Sequence, residues 1–377
     1  MSLSFDVSKD QNWVAKFINL NWGLITLISL ISGIGFLALY SAAGGNLEPW
    51  ASKQMIRFGV FFVMMIVIAL IDIRFWYRIS YILFAVGFVL LVFVEFMGQM
   101  GMGAQRWINL GFVQIQPSEL MKVAIIMSMA RYCHRATLDD MRRLSFLIVP
   151  TLMVLLPVGL VLLQPNLGTA TIMLANGAAL LFVAGAPVWL YLLGMASLAA
   201  FIPLVWHFYM HDYQKQRVLT FLDPESDPLG AGYHITQSKI ALGSGGIDGR
   251  GFLQGTQSKL NFLPEKQTDF IFTLWAEEWG MLGGTLLLLL FGLVFLYCGW
   301  IAFRCRHAYG RFLAFGLMVN FSLYMFINVA MVMGLIPVVG IPLPLVSYGG
   351  TAMMACMIGF GLIMSASIHR DSKLGSF

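Results

Sequence analysis

Apolar residues run through this chain in long blocks, separated by short polar or glycine- and proline-containing breaks. Ten blocks are legible, at 22–42, 54–73, 77–97, 117–133, 146–163, 168–185, 188–208, 270–303, 312–334 and 345–368. Each approaches or exceeds the ~20 residues that carry an α-helix across a bilayer, whereas barrel strands would alternate over about 10. Lipid offers the backbone no hydrogen bonds, so only helices and closed barrels span it. The pattern therefore predicts an all-α polytopic membrane protein with about ten transmembrane helices. The fourth, fifth and sixth blocks are short or interrupted by Pro and Gly. The eighth is longer than one membrane thickness, so it tilts or projects into the cytoplasm.

Composition agrees with this reading. Hydrophobic residues make up 59% of the chain and charged ones only 11%, against about 25% charged in soluble domains. The block Trp22–Ala42 is longer than the roughly 7–15 residues of a signal-peptide core, and further spans follow it. The cysteines Cys133, Cys298, Cys305 and Cys356 show neither metal-ligand nor disulfide spacing and read as small apolar residues.

Charge sets the orientation. Arg74, Arg78, Arg131, Arg135, Arg142, Arg143, Arg304, Arg306, Arg311, Arg370 and Lys373 fall on one side of the predicted bilayer. Only Lys53, Arg57, Arg106 and Lys122 lie near the short loops of the other. The positive-inside rule then places both termini in the cytoplasm, which an even number of spans requires. A single membrane domain, 1–377, is expected, with a cytoplasmic N-terminal segment 1–20, a large extracytoplasmic loop 209–268 and a cytoplasmic tail 369–377. Multi-pass insertion in a cytoplasmic membrane follows.

Loops as long as 209–268 are uncommon without a function. Its middle, Ala231–Leu242, reads as a short amphipathic helix on the outer membrane surface, and the cluster Gly243–Gly251 as a flexible turn. A lid or substrate platform is preferred to a disordered spacer.

Candidate chemistry collects on this outer face. In FLPEKQTDFIFTLWAEEWG, Phe262–Gly280, the charged residues Glu265, Lys266, Asp269, Glu277 and Glu278 crowd the mouth of an apolar block. Ionisable groups at a bilayer edge are functional candidates by default. Asp269 stands where an aqueous loop becomes a helix; the plainer alternative is that it only caps that helix. In GAQRWINLGFVQIQPSELMK, Arg106 is a phosphate-binding fork beside Trp107, which is also suited to be an interfacial anchor. Ser118 is a candidate cap. Glu119 and Lys122 share a helical face, as substrate ligands or as a structural pair. Two irregular polar turns, Gln164–Thr169 and Gly334–Thr351, either connect helices or line a shared cavity with Asp269. A carboxylate wet enough to stay ionised and close enough to lipid can act as base on a lipid-linked substrate, and cations beside it can hold an anionic leaving group. Asp269 is the candidate base; Arg106, Lys122, Arg217 and Lys266 are the candidate cations. A divalent cation, Mg or Mn, would serve the leaving group equally well, but the carboxylates show no ligand spacing, so metal binding stays open.

The motifs GAQRWINLG, QPSELMK, QPNLGTA, FLPEKQTDFIF with AEEWG, and GIPLPLVSYGGT resemble, in order and membrane position, those of the SEDS family (shape, elongation, division and sporulation). The resemblance spans roughly 20–370, and FLPE before TDFIF is closer to its rod-shape branch than to its division branch. It implies a peptidoglycan glycosyltransferase that polymerises lipid II, an undecaprenyl-diphosphate-linked disaccharide-peptide, on the periplasmic side during cell elongation. It also implies a class B penicillin-binding protein as transpeptidase partner, alongside other elongation-complex membrane proteins; no nucleic acid is expected. Asp269 falls on the family's essential carboxylate, Trp107 on the tryptophan of the second outer loop, and Glu119 and Lys122 on the polar pair of the fourth helix. Gln164, Asn166, Glu265, Lys266 and Ser347 complete the expected substrate-binding set with Arg106 and Arg217. Gln267 replaces a frequent His, and Asn166 a frequent Asp, so neither an imidazole relay nor a second carboxylate is expected there. A lipid II flippase and a non-enzymatic scaffold are the rival functions; the outer-face motifs and the lack of an internal repeat weigh against a carrier.

Overall fold

The computed structural model describes residues 13–97, 99–101, 104–109, 114–164, 166–208, 212–223, 231–256 and 265–374. In chain order the helices are α1 (Trp13–Ile18), α2 (Trp22–Ala42), α3 (Ala51–Leu70) and α4 (Ile73–Met97), followed by β1 (Gln99–Gly101), β2 (Ala104–Asn109) and β3 (Gln114–Ile115). Then come α5 (Pro117–Cys133), α6 (Leu138–Arg142), α7 (Leu144–Leu163), α8 (Leu167–Ala184), α9 (Val188–Phe208), α10 (Asp212–Leu222) and α11 (Ala231–Gly245). The chain closes with α12 (Ile271–Arg304), α13 (Ala308–Val332) and α14 (Gly350–Ile368).

Among the described residues, eight helices are long and apolar enough to cross a membrane: α2, α3, α4, α7, α8, α12, α13 and α14. The remaining two predicted blocks are α5 and α9. Helix α5 carries Glu119, Lys122 and Arg131, yet most of its length is buried. It packs against α4, α7, α8, α13 and α14. Because protein rather than lipid surrounds it, its charged groups find partners instead of hydrocarbon. The outer helices show the opposite pattern. On α3, Ile56, Val60, Val63 and Val67 form an exposed apolar stripe at helical spacing, the signature of a lipid-facing surface.

The loop between α4 and α5, whose form the sequence left open, is a small antiparallel sheet in the order β1-β2-β3, with Gln99 opposite Trp107 and Ile108 opposite Ile115. Three expectations are corrected. Helix α14 starts at Gly350 rather than near 345, because Leu345 adopts a positive φ of 66° and cannot sit in a helix. Helix α11 is present, but it lies on the ends of α12 and α13 rather than on lipid. Its Ile235 and Ala241 are buried, and Ser238 Oγ donates to the Val332 carbonyl at 2.8 Å.

The third correction is the glycine cluster, which is wedged rather than flexible. Helix α12 breaks at Gly280 (φ 63°, ψ −162°). The break strands carbonyls on its first half and N–H groups on its second, and buried backbone groups must be paired. The cluster pairs them. Arg250 N–H donates to the Glu277 carbonyl and Gly251 N–H to the Glu278 carbonyl, both at 3.0 Å. In return, Met281 N–H donates to Gly246 at 2.9 Å and Leu282 N–H to Ile247 at 3.2 Å. A Cβ at Gly249 would collide with the Glu278 carbonyl, and one at Gly280 with the Ile247 carbonyl. Only glycine permits this approach.

Candidate active site

The turn that presents Asp269 is held almost entirely through its backbone. Glu265 takes a positive φ of 57°, and its carbonyl accepts from Thr268 N–H (3.1 Å) and Asp269 N–H (3.2 Å). Its carboxylate accepts from Gln267 Nε2 (3.2 Å) and Thr268 Oγ1 (3.1 Å). Tyr348 N–H donates to the Gln267 carbonyl at 2.8 Å, Ser347 Oγ to the Thr268 carbonyl at 2.5 Å, and Asn328 Nδ2 to the Asp269 carbonyl at 2.9 Å. Three consecutive peptides are thus pinned from outside the turn. Helix α12 starts at Ile271 with Phe270 as its N-cap and no side-chain cap bond, so Asp269 is not its cap.

Asn328 belongs to α13, whereas Ser347 and Tyr348 come from the proline-containing segment between α13 and α14, which is buried at Ile341 and from Leu343 to Ser347. Asn328 also donates to the Ile341 carbonyl (2.7 Å), Leu343 N–H donates to Ser347 Oγ (2.8 Å), and Gln54 Nε2 of α3 donates to the Ser347 carbonyl (2.9 Å). Irregular backbone at membrane depth survives only when enclosed in protein in this way. Gly340 (φ 70°) faces the carboxylate: a Cβ there would sit 3.4 Å from Asp269 Oδ2. Beside Asp269, burial pulls the Lys266 ammonium below its ordinary pKa.

Glu119 and Lys122 form a second cluster. Lys122 Nζ donates to Glu119 Oε1 at 2.6 Å, with side chains only 1% and 8% exposed. Tyr324 Oη donates to the same carboxylate at 2.8 and 2.7 Å, and its ring lies 4.1 Å beneath the ammonium. Pro117 opens α5 and Gln116 is its N-cap, so Ser118 does not cap it.

At QPNLGT, Arg106 Nε donates to the Gln164 carbonyl at 3.1 Å, and Gln164 Nε2 to the Leu91 carbonyl at 3.1 Å. Asn166 caps α8, accepting from Thr169 N–H at 3.4 Å. Gly168 abuts Ile341 and Val339 of the proline-containing segment, so this turn joins the same assembly. Trp107 sits in β2, which packs on α4 and α5, while β3 packs on α14. Arg217 lies in α10, but its side chain falls outside the described residues, as does Pro165. Among the described residues, no group of three or more His, Cys, Asp or Glu side chains is placed to hold a metal, and no step below is routed through one.

Sequence reading overlooked the groups that join these parts. Asn320, Tyr324 and Asn328 recur every fourth residue on α13, one polar face of an otherwise apolar helix. Asn320 accepts from Asn176 of α8 at 2.9 Å, Tyr324 binds Glu119, and Asn328 holds the Asp269 peptide. That spacing was the available signal. Arg57 of α3 was also passed over: its guanidinium stacks 4.8 Å over the ring of Tyr348, one of the pinning residues.

A multi-pass helical membrane protein with its buried polar chemistry gathered at one end of the bundle is the class this architecture defines. The model of the cell cycle protein family that groups FtsW, RodA and SpoVE matches residues 15–372. The peptidoglycan glycosyltransferase MrdB of Escherichia coli K12 is 44% identical over 92% of this chain and 93% of its own length. Stage V sporulation protein E of Bacillus subtilis is 36% identical over 91% and 96%. A solved peptidoglycan synthase complex, described as coordinating polymerization and crosslinking, contains a chain that superimposes with a TM-score of 0.82 at 31% identity, covering 94% of this chain and 99% of that one. The rod-shape-determining protein RodA of Thermus thermophilus superimposes at 0.71 and 27%, covering 94% and 98%. The chain belongs to this SEDS family, in its RodA-type branch.

Proposed function

We propose that this chain is a peptidoglycan glycosyltransferase that polymerises lipid II during cell elongation, with Asp269 as general base on the periplasmic side. The observation that carries the reading is the Asp269 turn. Its peptides are fixed by α13 and the proline-containing segment, while helix capping, the ordinary use of such an Asp, falls to Phe270. A fixed carboxylate at the outer membrane edge can take the proton from an attacking sugar hydroxyl as the new glycosidic bond forms. The bond from the donor sugar to the polyprenyl diphosphate breaks in the same event. Lys266, Arg106 and Arg57 are the cations that support the departing diphosphate, with the Arg217 side chain a further candidate. Trp107, Gln164, Asn166, Glu265 and Ser347 shape and orient the site, and Glu119–Lys122 braces it through Tyr324.

The membrane helices supply no transpeptidase, and a class B penicillin-binding protein is the partner this reading requires, together with other membrane proteins of the elongation machinery. The purified chain, given fluorescent lipid II with and without that partner, is expected to yield long glycan polymer. Translocation of lipid II without polymer would support a flippase instead, and neither outcome would leave a scaffold.

A further inference from the structure

The opposite end of the bundle holds a polar pocket that plays no part in the chemistry above. It has a volume of about 200 Å³ and is lined by Asn19, Asn21, Trp300, Arg304, Arg370 and Asp371, among others. We propose that it binds the head group of an anionic phospholipid from the cytoplasmic leaflet.

Three observations converge on this ligand. The first is charge. Arg306 Nε and Arg370 Nε share the single Asp371 carboxylate, at 3.1 and 3.4 Å, while Arg304 lies 4.4 Å over the Trp300 ring. The two lining guanidiniums, Arg304 and Arg370, outnumber the one lining carboxylate, Asp371, which Arg306 also engages from outside, so the pocket is net positive. Guanidiniums are donors only, so what satisfies them is an acceptor-rich anion. The second is a donor waiting inside. Asn21 occupies the N-cap position of α2, yet its side chain makes no cap bond. Its Nδ2 is buried and without a hydrogen-bond partner among the described residues. A buried donor of this kind calls for an acceptor, and the N-terminus of α2 adds its own positive end.

The third is depth. Trp13, Trp22 and Trp300 are 69%, 46% and 47% exposed, and α1 also turns Val14, Phe17 and Ile18 outward. Exposed Trp beside exposed aliphatic residues marks the membrane interface. The pocket therefore opens at head-group level, where a phosphodiester arrives with its acyl chains already in lipid. Arginine clustering puts this end at the cytoplasmic leaflet, whose anionic lipids are drawn to such basic pockets. A zwitterionic head group would bring its own ammonium against Arg304 and Arg370, so the site discriminates by charge.

Native mass spectrometry of the full chain in detergent tests the proposal, titrating phosphatidylglycerol, phosphatidylcholine or inorganic phosphate. Phosphatidylglycerol adducts should persist where phosphatidylcholine adducts do not. Arg304→Gln and Arg370→Gln should each weaken them about five-fold. Asn21→Asp, which replaces the buried donor by a carboxylate, should weaken them at least as much. Arg142→Gln, also cytoplasmic but outside the pocket, should leave them unchanged. If an arginine variant fails to match the parent's thermal unfolding, Asn21→Asp in a folded chain decides the question. Equal retention of the two lipids, or phosphatidylglycerol retention unaffected by Asn21→Asp, would overturn the proposal. So would complete displacement by inorganic phosphate at equal concentration, which would assign the pocket to the free anion.

Discussion

Glu119 and Asp269 are acidic residues of the same polar assembly, held in opposite ways. Around Glu119, the side chain is what is held: Lys122 and Tyr324 saturate the carboxylate inside the bundle. Around Asp269, the peptide is what is held: Asn328, Ser347 and Tyr348 grip the backbone on either side of it. A carboxylate closed by its own ion pair serves packing and position. One whose backbone is clamped is, in the proposed reading, the group offered to substrate. Tyr324 and Asn328, one turn apart on α13, join the two regions mechanically.

The most severe way to break this comparison is at Asp269. Asp269→Asn keeps size and most hydrogen bonding but cannot take a proton, so polymer formation should fall by about 10²- to 10⁴-fold. Thermal unfolding should change little, since the clamps act on the backbone. Near-normal polymer from the purified variant, with partner and lipid II supplied, would refute the base assignment.

Glu119 should show the reverse balance. Glu119→Ala or Lys122→Ala strands a buried charge and should destabilise by about 3–5 kcal/mol. The double replacement should be milder than either single one when measured by thermal unfolding. A double variant as unstable as the singles would mean that the pair does more than balance charge.

A smaller effect sharpens the contrast with the opposite end of the bundle. There His307 Nδ1 accepts from Gly310 N–H at 2.8 Å and caps α13, and burial holds its pKa down from 6.5 to about 4. Between those values the unfolded chain takes up a proton that the folded one refuses. The stabilising contribution, complete above pH 6.5, should therefore fade as pH drops toward 4, losing about 2 kcal/mol by pH 5. Burial shifts His134 and His369 the same way. His307→Asn, which retains an acceptor, should remove part of the slope in melting temperature between pH 7 and 5; an unchanged slope would exclude His307 as a source.

The smallest expected change is at the turn before α8. Asn166→Ala removes the cap on Thr169 and should lower stability by about 1 kcal/mol. A loss of polymerisation without that loss of stability would move Asn166 from positioning α8 to contacting substrate.

The helices were legible because lipid imposes a length and a composition that a linear pattern displays directly. Even the buried α5 was found at Pro117–Cys133, since proline and a charged last turn mark its ends. The candidate groups Asp269, Glu119, Lys122 and Ser347 stood out because charge and broken helices are rare in an apolar chain. Less visible were features that depend on two distant segments meeting. The glycine cluster looks flexible in isolation, and only its fit into the break at Gly280 shows it to be fixed. The Asn320, Tyr324 and Asn328 ladder was spaced legibly, but nothing local says which helices it faces.

The chain's own pattern of apolar blocks, arginines and polar motifs determined its class, its long apolar helices and its family resemblance. Those properties follow from the free energy of placing each segment in lipid or water, a sum over nearby residues. Tertiary structure alone decided that the Asp269 peptide is clamped rather than used as a cap, and that Lys122 belongs to Tyr324 as much as to Glu119. It alone opened a basic pocket beneath α2. Hydrogen bonds and ion pairs act over a few ångströms, and residues such as Asn328 and Asp269, 59 positions apart, come within that reach only when the bundle closes.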